Sequence, residues 1–145
     1  MTDKHTQFIY NDTDHSYTCV RTIRNKKFIG HTRCHPGDYD FESKLVGEHY
    51  AYMRALIKEL ADRRDTKRLE LKALRHLYNI LEQNKNVSLE SEEMYTIRRQ
   101  IKLAEDEIRD IRELIKATRF ELHATIISKD TYYKALRERR KKNEA

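Results

Sequence analysis

Cys34 and His35 stand side by side, with Arg33 before them and Pro36, Gly37 and Asp38 after. A thiol, an imidazole and a carboxylate are the parts of a nucleophile, its base and an orienting group. On a strand, however, neighbouring side chains point to opposite faces. No nucleophile elbow or glycine-rich oxyanion loop accompanies the pair. Cys19, His31, Cys34 and His35 are also metal-ligand types, but their spacing contains no C-x-x-C knuckle and no zinc-finger pattern. The residues thus predict a non-enzymatic protein with no metal and no cofactor, in which Cys34 and His35 help to fold a junction. Asp38 and Asp40 flank Tyr39 just ahead of helical sequence. Capping and the helix dipole account for both acids, and either is a natural N-cap.

A second set of residues suits an anionic ligand. Arg54 and Lys58 are one helical turn apart, and Tyr50 is one turn before Arg54 on the same face. Arg33 lies near the same strand–helix junction. Arginine offers a bidentate fork to phosphate, lysine a point charge, and tyrosine a ring to stack on a base. Arg33, Tyr50, Arg54 and Lys58 are therefore the candidate ligand-binding residues, although no P-loop or dinucleotide glycine pattern is present. The competing role for Arg54 is to snorkel over the helix face or to pair with an acid such as Glu59 or Glu48. A third set lies near the C-terminus: Tyr132 and Tyr133, then Arg137, Arg139, Arg140, Lys141 and Lys142. Charge beside aromatic rings suits nucleic acid, and a solvated terminal helix accounts for it equally. The bases between residues 98 and 119 are interleaved with acids, which dilutes their potential.

Composition bounds what must position these groups. The 145 residues predict one domain. With 38% hydrophobic and 37% charged residues and no Trp, its core must be thin, which favours long packed helices. A net charge of +6 points to anionic partners. Two cysteines make no disulfide framework, and neither a signal peptide nor a membrane span is evident. A cytoplasmic protein is expected, with no membrane partner.

The pattern predicts an α+β fold. Residues 1–36 are β-rich, with short strands at 7–10, 15–24 and 28–34 joined by turns at 11–14 and 25–27. The only proline and all three glycines (Gly30, Gly37 and Gly47) fall between residues 30 and 47, so this junction should hold the chain's backbone exceptions. Pro36, Gly37 and Gly47 should tolerate substitution poorly. A first helix is expected over 40–84. A loop at 85–90 precedes a second helix over 88–127, capped by Ser88 or Ser91. That helix keeps heptad spacing through Met94, Ile97, Ile101, Ala104, Ile108, Ile111, Ile115, Thr118 and Leu122. A break at 126–130 then leads to a short basic helix over 130–141. The sum is a small N-terminal antiparallel sheet, a long antiparallel helical hairpin and a short C-terminal helix. Long hairpins leave apolar surface uncovered, which predicts a homo-oligomer, a dimer or larger.

The junction as a block is Gly30, Cys34, His35, Pro36, Asp38, Asp40 and Phe41, then Gly47, Ala51, Arg54 and Ala55. It resembles small proteins encoded by phages of Gram-positive bacteria, and among these the Thoeris anti-defence sponges. That resemblance covers about 25 residues of the 145. It implies a non-enzymatic oligomer that captures a cyclic ADP-ribose-type immune signal in the host cytoplasm. It further implies that arginine and aromatic side chains from neighbouring protomers hold the nucleotide. Two other functions fit the residues. One is a basic phage protein that binds nucleic acid or inhibits a host or CRISPR nuclease through its tail. The other is a structural helical adaptor acting through the isoleucine stripe.

Overall fold

A computed structural model describes residues 5–84 and 86–144, and the side-chain positions at 37, 40, 41 and 144 lie outside that description. The junction roles expected of Gly37 and Phe41 therefore lie outside the described residues. Three strands, β1 (Thr6–Asn11), β2 (Ser16–Ile23) and β3 (Lys26–Arg33), form an antiparallel sheet in the order β1-β2-β3. A 3-10 helix (Pro36–Phe41) leads into α1 (Lys44–Gln83), and α2 (Glu92–Glu144) completes the chain. The fold is α+β, with the sheet before the helices, as the residue pattern predicts. The chain divides into two compact units, Met1–Glu59 with Lys116–Ala145, and Leu60–Ile115.

In the first unit the β2–β3 connection is a two-residue turn. Ile23 pairs with Lys26, and Arg24 and Asn25 between them have φ of 49° and 67°. Two successive left-handed residues make a type I′ turn, whose twist matches the strands it joins. The turn is thus one residue earlier than 25–27. It is also built without glycine: His15, Arg24 and Asn25 are the positive-φ residues among those described. The glycines serve a different purpose. A Cβ on Gly30 would collide with the backbone of Ala51 and Ala55, and one on Gly47 would enter the ring of Tyr17. Gly30, Gly47, Ala51 and Ala55 therefore let α1 lie almost in contact with the sheet backbone. The expectation of glycine-borne backbone exceptions at the junction is corrected accordingly, because the need at Gly30 and Gly47 is for space.

Alternation puts Tyr17, Cys19 and Arg21 on the inner face of β2. Tyr17 and Cys19 are buried with Ala51 and Ala55, and Phe8 and Tyr52 pack against them. Arg21 is buried too. Its Nε donates to Glu59 Oε2 at 2.7 Å, its Nη1 donates to Thr6 Oγ1 at 3.0 Å, and its guanidinium lies 5.1 Å from the Tyr52 ring centre. Glu59 thus belongs to Arg21 and not to Arg54.

Ser43 caps α1. Its Oγ accepts from Val46 N at 3.4 Å, and its carbonyl accepts from Gly47 N at 3.0 Å. The expected caps, Asp38 and Asp40, fall inside the 3-10 helix, ahead of the Ser43 cap, and the side chain of Asp40 lies outside the described residues.

In the second unit α1 and α2 run antiparallel. Leu71 is buried with Ala104 and Ile108, flanked by Leu74 and Ile101. Lys67 pairs with Glu107 at 3.0 Å and Arg75 with Glu105 at 3.1 Å. Ser91 caps α2, accepting from Met94 N at 3.3 Å. Met94, Ile97, Ala104, Ile108, Ile111, Ile115 and Thr118 of the heptad stripe are all buried. α2 then continues through 126–130 without the expected break, so the short basic helix is its last part. No glycine or proline follows Gly47 to stop it. Thr125 and Thr131 also turn their hydroxyls back to the carbonyls of Glu121 and Ile127, at 2.7 and 3.0 Å. That bond gives the hydroxyl a partner without ending the helix, at a slight cost in helix stability.

Candidate functional site

Within the first unit, the end of β3, the 3-10 helix, the start of α1 and the C-terminal part of α2 enclose a cavity of about 190 Å³. β3 and the residues after it supply Thr32, Arg33, Cys34 and His35. The 3-10 helix supplies Asp38, α1 supplies Tyr50 and Arg54, and α2 supplies Lys129, Asp130 and Tyr133. The helix cap explains part of this arrangement. Because Ser43 starts α1, Val46, Gly47, Tyr50 and Arg54 recur on one face at steps of one, three and four residues.

Three of the four candidate ligand residues meet here: Arg33, Tyr50 and Arg54. Each is also engaged by the fold. Arg33 Nε donates to the Asp14 carbonyl at 3.3 Å, and Tyr50 Oη donates to the Thr125 carbonyl at 3.2 Å. Arg54 Nη1 donates to the His31 carbonyl at 2.6 Å. The guanidinium of Arg54 keeps further N–H donors beyond that bond. Lys58 does not line the cavity, because its ammonium donates to the Ile29 carbonyl at 2.6 Å. Of the junction residues, Cys34, His35, Asp38 and Gly47 line the wall; Gly47 makes room there for Tyr17.

The electrostatics are mixed. Arg33, Arg54 and Lys129 face Asp38, Glu42 and Asp130. Asp38 is 8% exposed, and Arg137 Nη1 lies 3.0 Å from its Oδ1. The separation is that of an ion pair, but the N–H is not aimed at the oxygen, so Oδ1 has no aligned hydrogen bond. Nearby, Glu42 accepts from Tyr10 Oη at 3.2 Å and contacts His15 Nδ1 at 3.2 Å. The imidazole of His15 stacks on Tyr39 with centres 3.7 Å apart. Burial pushes the phenols of Tyr17 and Tyr50 up to about 12, with Glu42 adding to the first and Tyr133 and Asp130 to the second. Burial, then Glu42 and Asp38, also raises the Cys34 thiol. A raised thiol carries less of the reactive thiolate at neutral pH.

The tail separates into two parts. Tyr133 lines the cavity, and Arg137 reaches Asp38. Tyr132 is exposed, and Arg139, Arg140, Lys141 and Lys142 lie on the exposed last turns of α2, where cations suit the helix dipole. Sequence reasoning missed Ile126, Lys129 and Asp130, because 126–130 reads as a break. The signal was available: Ile126, Lys129, Tyr133 and Arg137 recur at steps of three and four. No protein-family model matches this chain, and no curated protein or solved structure matches it. Its class is that of an α+β protein whose small cavity is built from charged and aromatic groups.

Proposed function

We propose that this chain captures a small phosphorylated nucleotide in the first-unit cavity and holds it without turnover. The observation that carries the reading is the convergence of Arg33, Arg54 and Lys129 with the rings of Tyr50 and Tyr133. Guanidinium and ammonium groups hold phosphate, and tyrosine rings hold a base. The under-bonded Asp38 Oδ1 accepts a ribose hydroxyl or a base amine. A cavity of about 190 Å³ is below the range of sites that enclose a whole drug-sized molecule, so it takes one end of the nucleotide. A second copy of the chain holds the other end, in a homo-oligomer that covers exposed side chains such as Leu45 and Phe120. The junction's resemblance to the Thoeris sponges makes a cyclic ADP-ribose-type immune signal the first ligand to try. In that setting the protein is phage-encoded and acts in the host cytoplasm.

Titration calorimetry of the full chain with cyclic ADP-ribose, ADP-ribose and inorganic pyrophosphate tests this reading. Saturable binding of a nucleotide is expected, with the compound recovered intact after denaturation. Lys129→Ala should weaken binding about tenfold or more, the loss of one charge-assisted contact. Absence of binding at millimolar ligand, or conversion of the ligand over many turnovers, would overturn it.

A further inference from the structure

The second unit carries a basic groove that the sequence pattern conceals. The facing sides of α1 and α2 enclose a space of about 710 Å³. Arg68, Lys72 and Arg75 line it from α1, and Arg109 and Arg112 from α2, against the single carboxylate of Glu105. The steps from 68 to 72 to 75 and from 109 to 112 set these cations about one turn, or ~5 Å, apart along rigid helices. Leu71 and Ile108 form the floor, and His76 and Asn79 add polar groups. Of the interleaved acids, Glu105 lines the groove, and Asp65, Asp106 and Asp110 reach its cations from beside it.

Three of the cations have surface ion pairs. Arg75 meets Glu105 at 3.1 Å, Arg68 meets Asp65 at 3.5 Å, and Arg109 meets Asp106 at 3.4 Å and Asp110 at 3.9 Å. Exposed pairs of this kind are weak and are readily exchanged for a phosphate. Lys72 and Arg112 have no ion-pair partner among the described residues.

We infer that this groove binds a nucleic-acid strand through its phosphates, without reading its sequence. Two rows of cations at a regular repeat match a polymer with a regularly repeating charge. Among the described residues no Phe, Tyr or Trp lines the groove, and the imidazole of His76 is its one ring, so base stacking adds little and affinity rests mainly on charge. An acidic protein partner would need an apolar centre to bury, and the floor offers Leu71 and Ile108 alone. The site is separate from the nucleotide cavity and does not depend on it.

Fluorescence anisotropy of a labelled 20-nucleotide oligothymidylate, titrated with the full chain at several salt concentrations, tests the inference. Binding should weaken steeply with salt, with a log–log slope of about −2 to −4 for three to five neutralised phosphates. The double variant K72E/R112E should lose about a hundredfold in affinity at 100 mM salt. Its melting temperature should stay unchanged, since neither side chain holds the fold. R139A/R140A/K141A/K142A should bind like the wild type. Three results would overturn the inference: no binding at 50 mM salt, a loss confined to the tail variant, or equal affinity for poly-glutamate. Lys129→Ala should leave oligothymidylate binding unchanged, so failure of one site is distinguishable from failure of the other.

Discussion

Arg54 caps the open edge of the sheet by donating from Nη1 to the His31 carbonyl at 2.6 Å. Lys58, one turn later, does the same for the Ile29 carbonyl at 2.6 Å. β3 is an edge strand, and its outward carbonyls have no strand partner among the described residues. A four-residue step on a helix advances about 6 Å, and a two-residue step on a strand about 6.8 Å, so the two donors fit alternate carbonyls. Replacing both with Met should lower unfolding free energy by about 1 kcal/mol per lost bond. It should also promote self-association through the bare edge. Urea melts and size-exclusion chromatography at rising concentration read both effects. A double variant as stable and as monodisperse as its parent would refute the capping role.

The Arg21–Glu59 pair joins sheet to helix in a buried setting. Removing one partner strands the other charge away from water. Glu59→Ala should therefore cost about 3 kcal/mol in chemical denaturation. The double change R21M/E59L, which removes both charges, should recover much of that loss. If the double variant is as unstable as the single one, the cost lies in packing and not in the stranded charge.

Gly30 and Gly47 should differ in their response to alanine. At Gly30 the new methyl meets the backbone of Ala51 and Ala55, which cannot move alone. Gly30→Ala should cost about 3 kcal/mol or more, or prevent folding. At Gly47 the obstacle is the buried ring of Tyr17, a side chain and not backbone but one fixed in the core, so Gly47→Ala should cost about 2–3 kcal/mol, less than Gly30→Ala. Circular-dichroism melts rank the two. A milder effect at Gly30 than at Gly47 would contradict the close approach of α1 to β3.

Tyr17 and Tyr50 make stability depend on alkaline pH. Their phenols titrate near 12 in the folded chain because burial disfavours the phenolate, against 10 for an ordinary tyrosine. Below pH 10 both states hold the proton, and the contribution is fully present. Between about 10 and about 12 the unfolded chain releases protons that the folded chain keeps, so stability falls as pH rises. The paired lysine Lys67, raised by Glu107 and Glu70, adds to the same trend. Tyr50→Phe should flatten its share of the decline, measured as the melting temperature across pH 9 to 12 against the parent. An unchanged slope would mean that Tyr50 is not held away from solvent.

Much of the fold was legible residue by residue. The heptad from Met94 to Thr118 is buried nearly as spaced, and Tyr17, Cys19 and Arg21 share the inner face that alternation assigns them. Both patterns follow from backbone geometry, which repeats every few residues whatever the rest of the chain does. The uninterrupted α2 was less legible. Ser128 and Asp130 are plausible caps in isolation, and contacts elsewhere decide whether a cap is used.

Composition and periodicity thus determined the three strands, the two long helices and their order, but not the unbroken course of α2. Tertiary structure alone decided how the residues available for binding are used. It assigned Arg54 and Lys58 to strand carbonyls, gave Glu59 to Arg21, and brought Lys129 and Tyr133 beside Tyr50. It also gathered Arg68, Lys72, Arg109 and Arg112 around one groove. Each of these partnerships joins residues more than 20 positions apart, with the neighbours on one helix as the exception. A local pattern carries no information about which distant donor meets which acceptor. That choice follows from the packing of whole elements, where every buried polar group must find a partner.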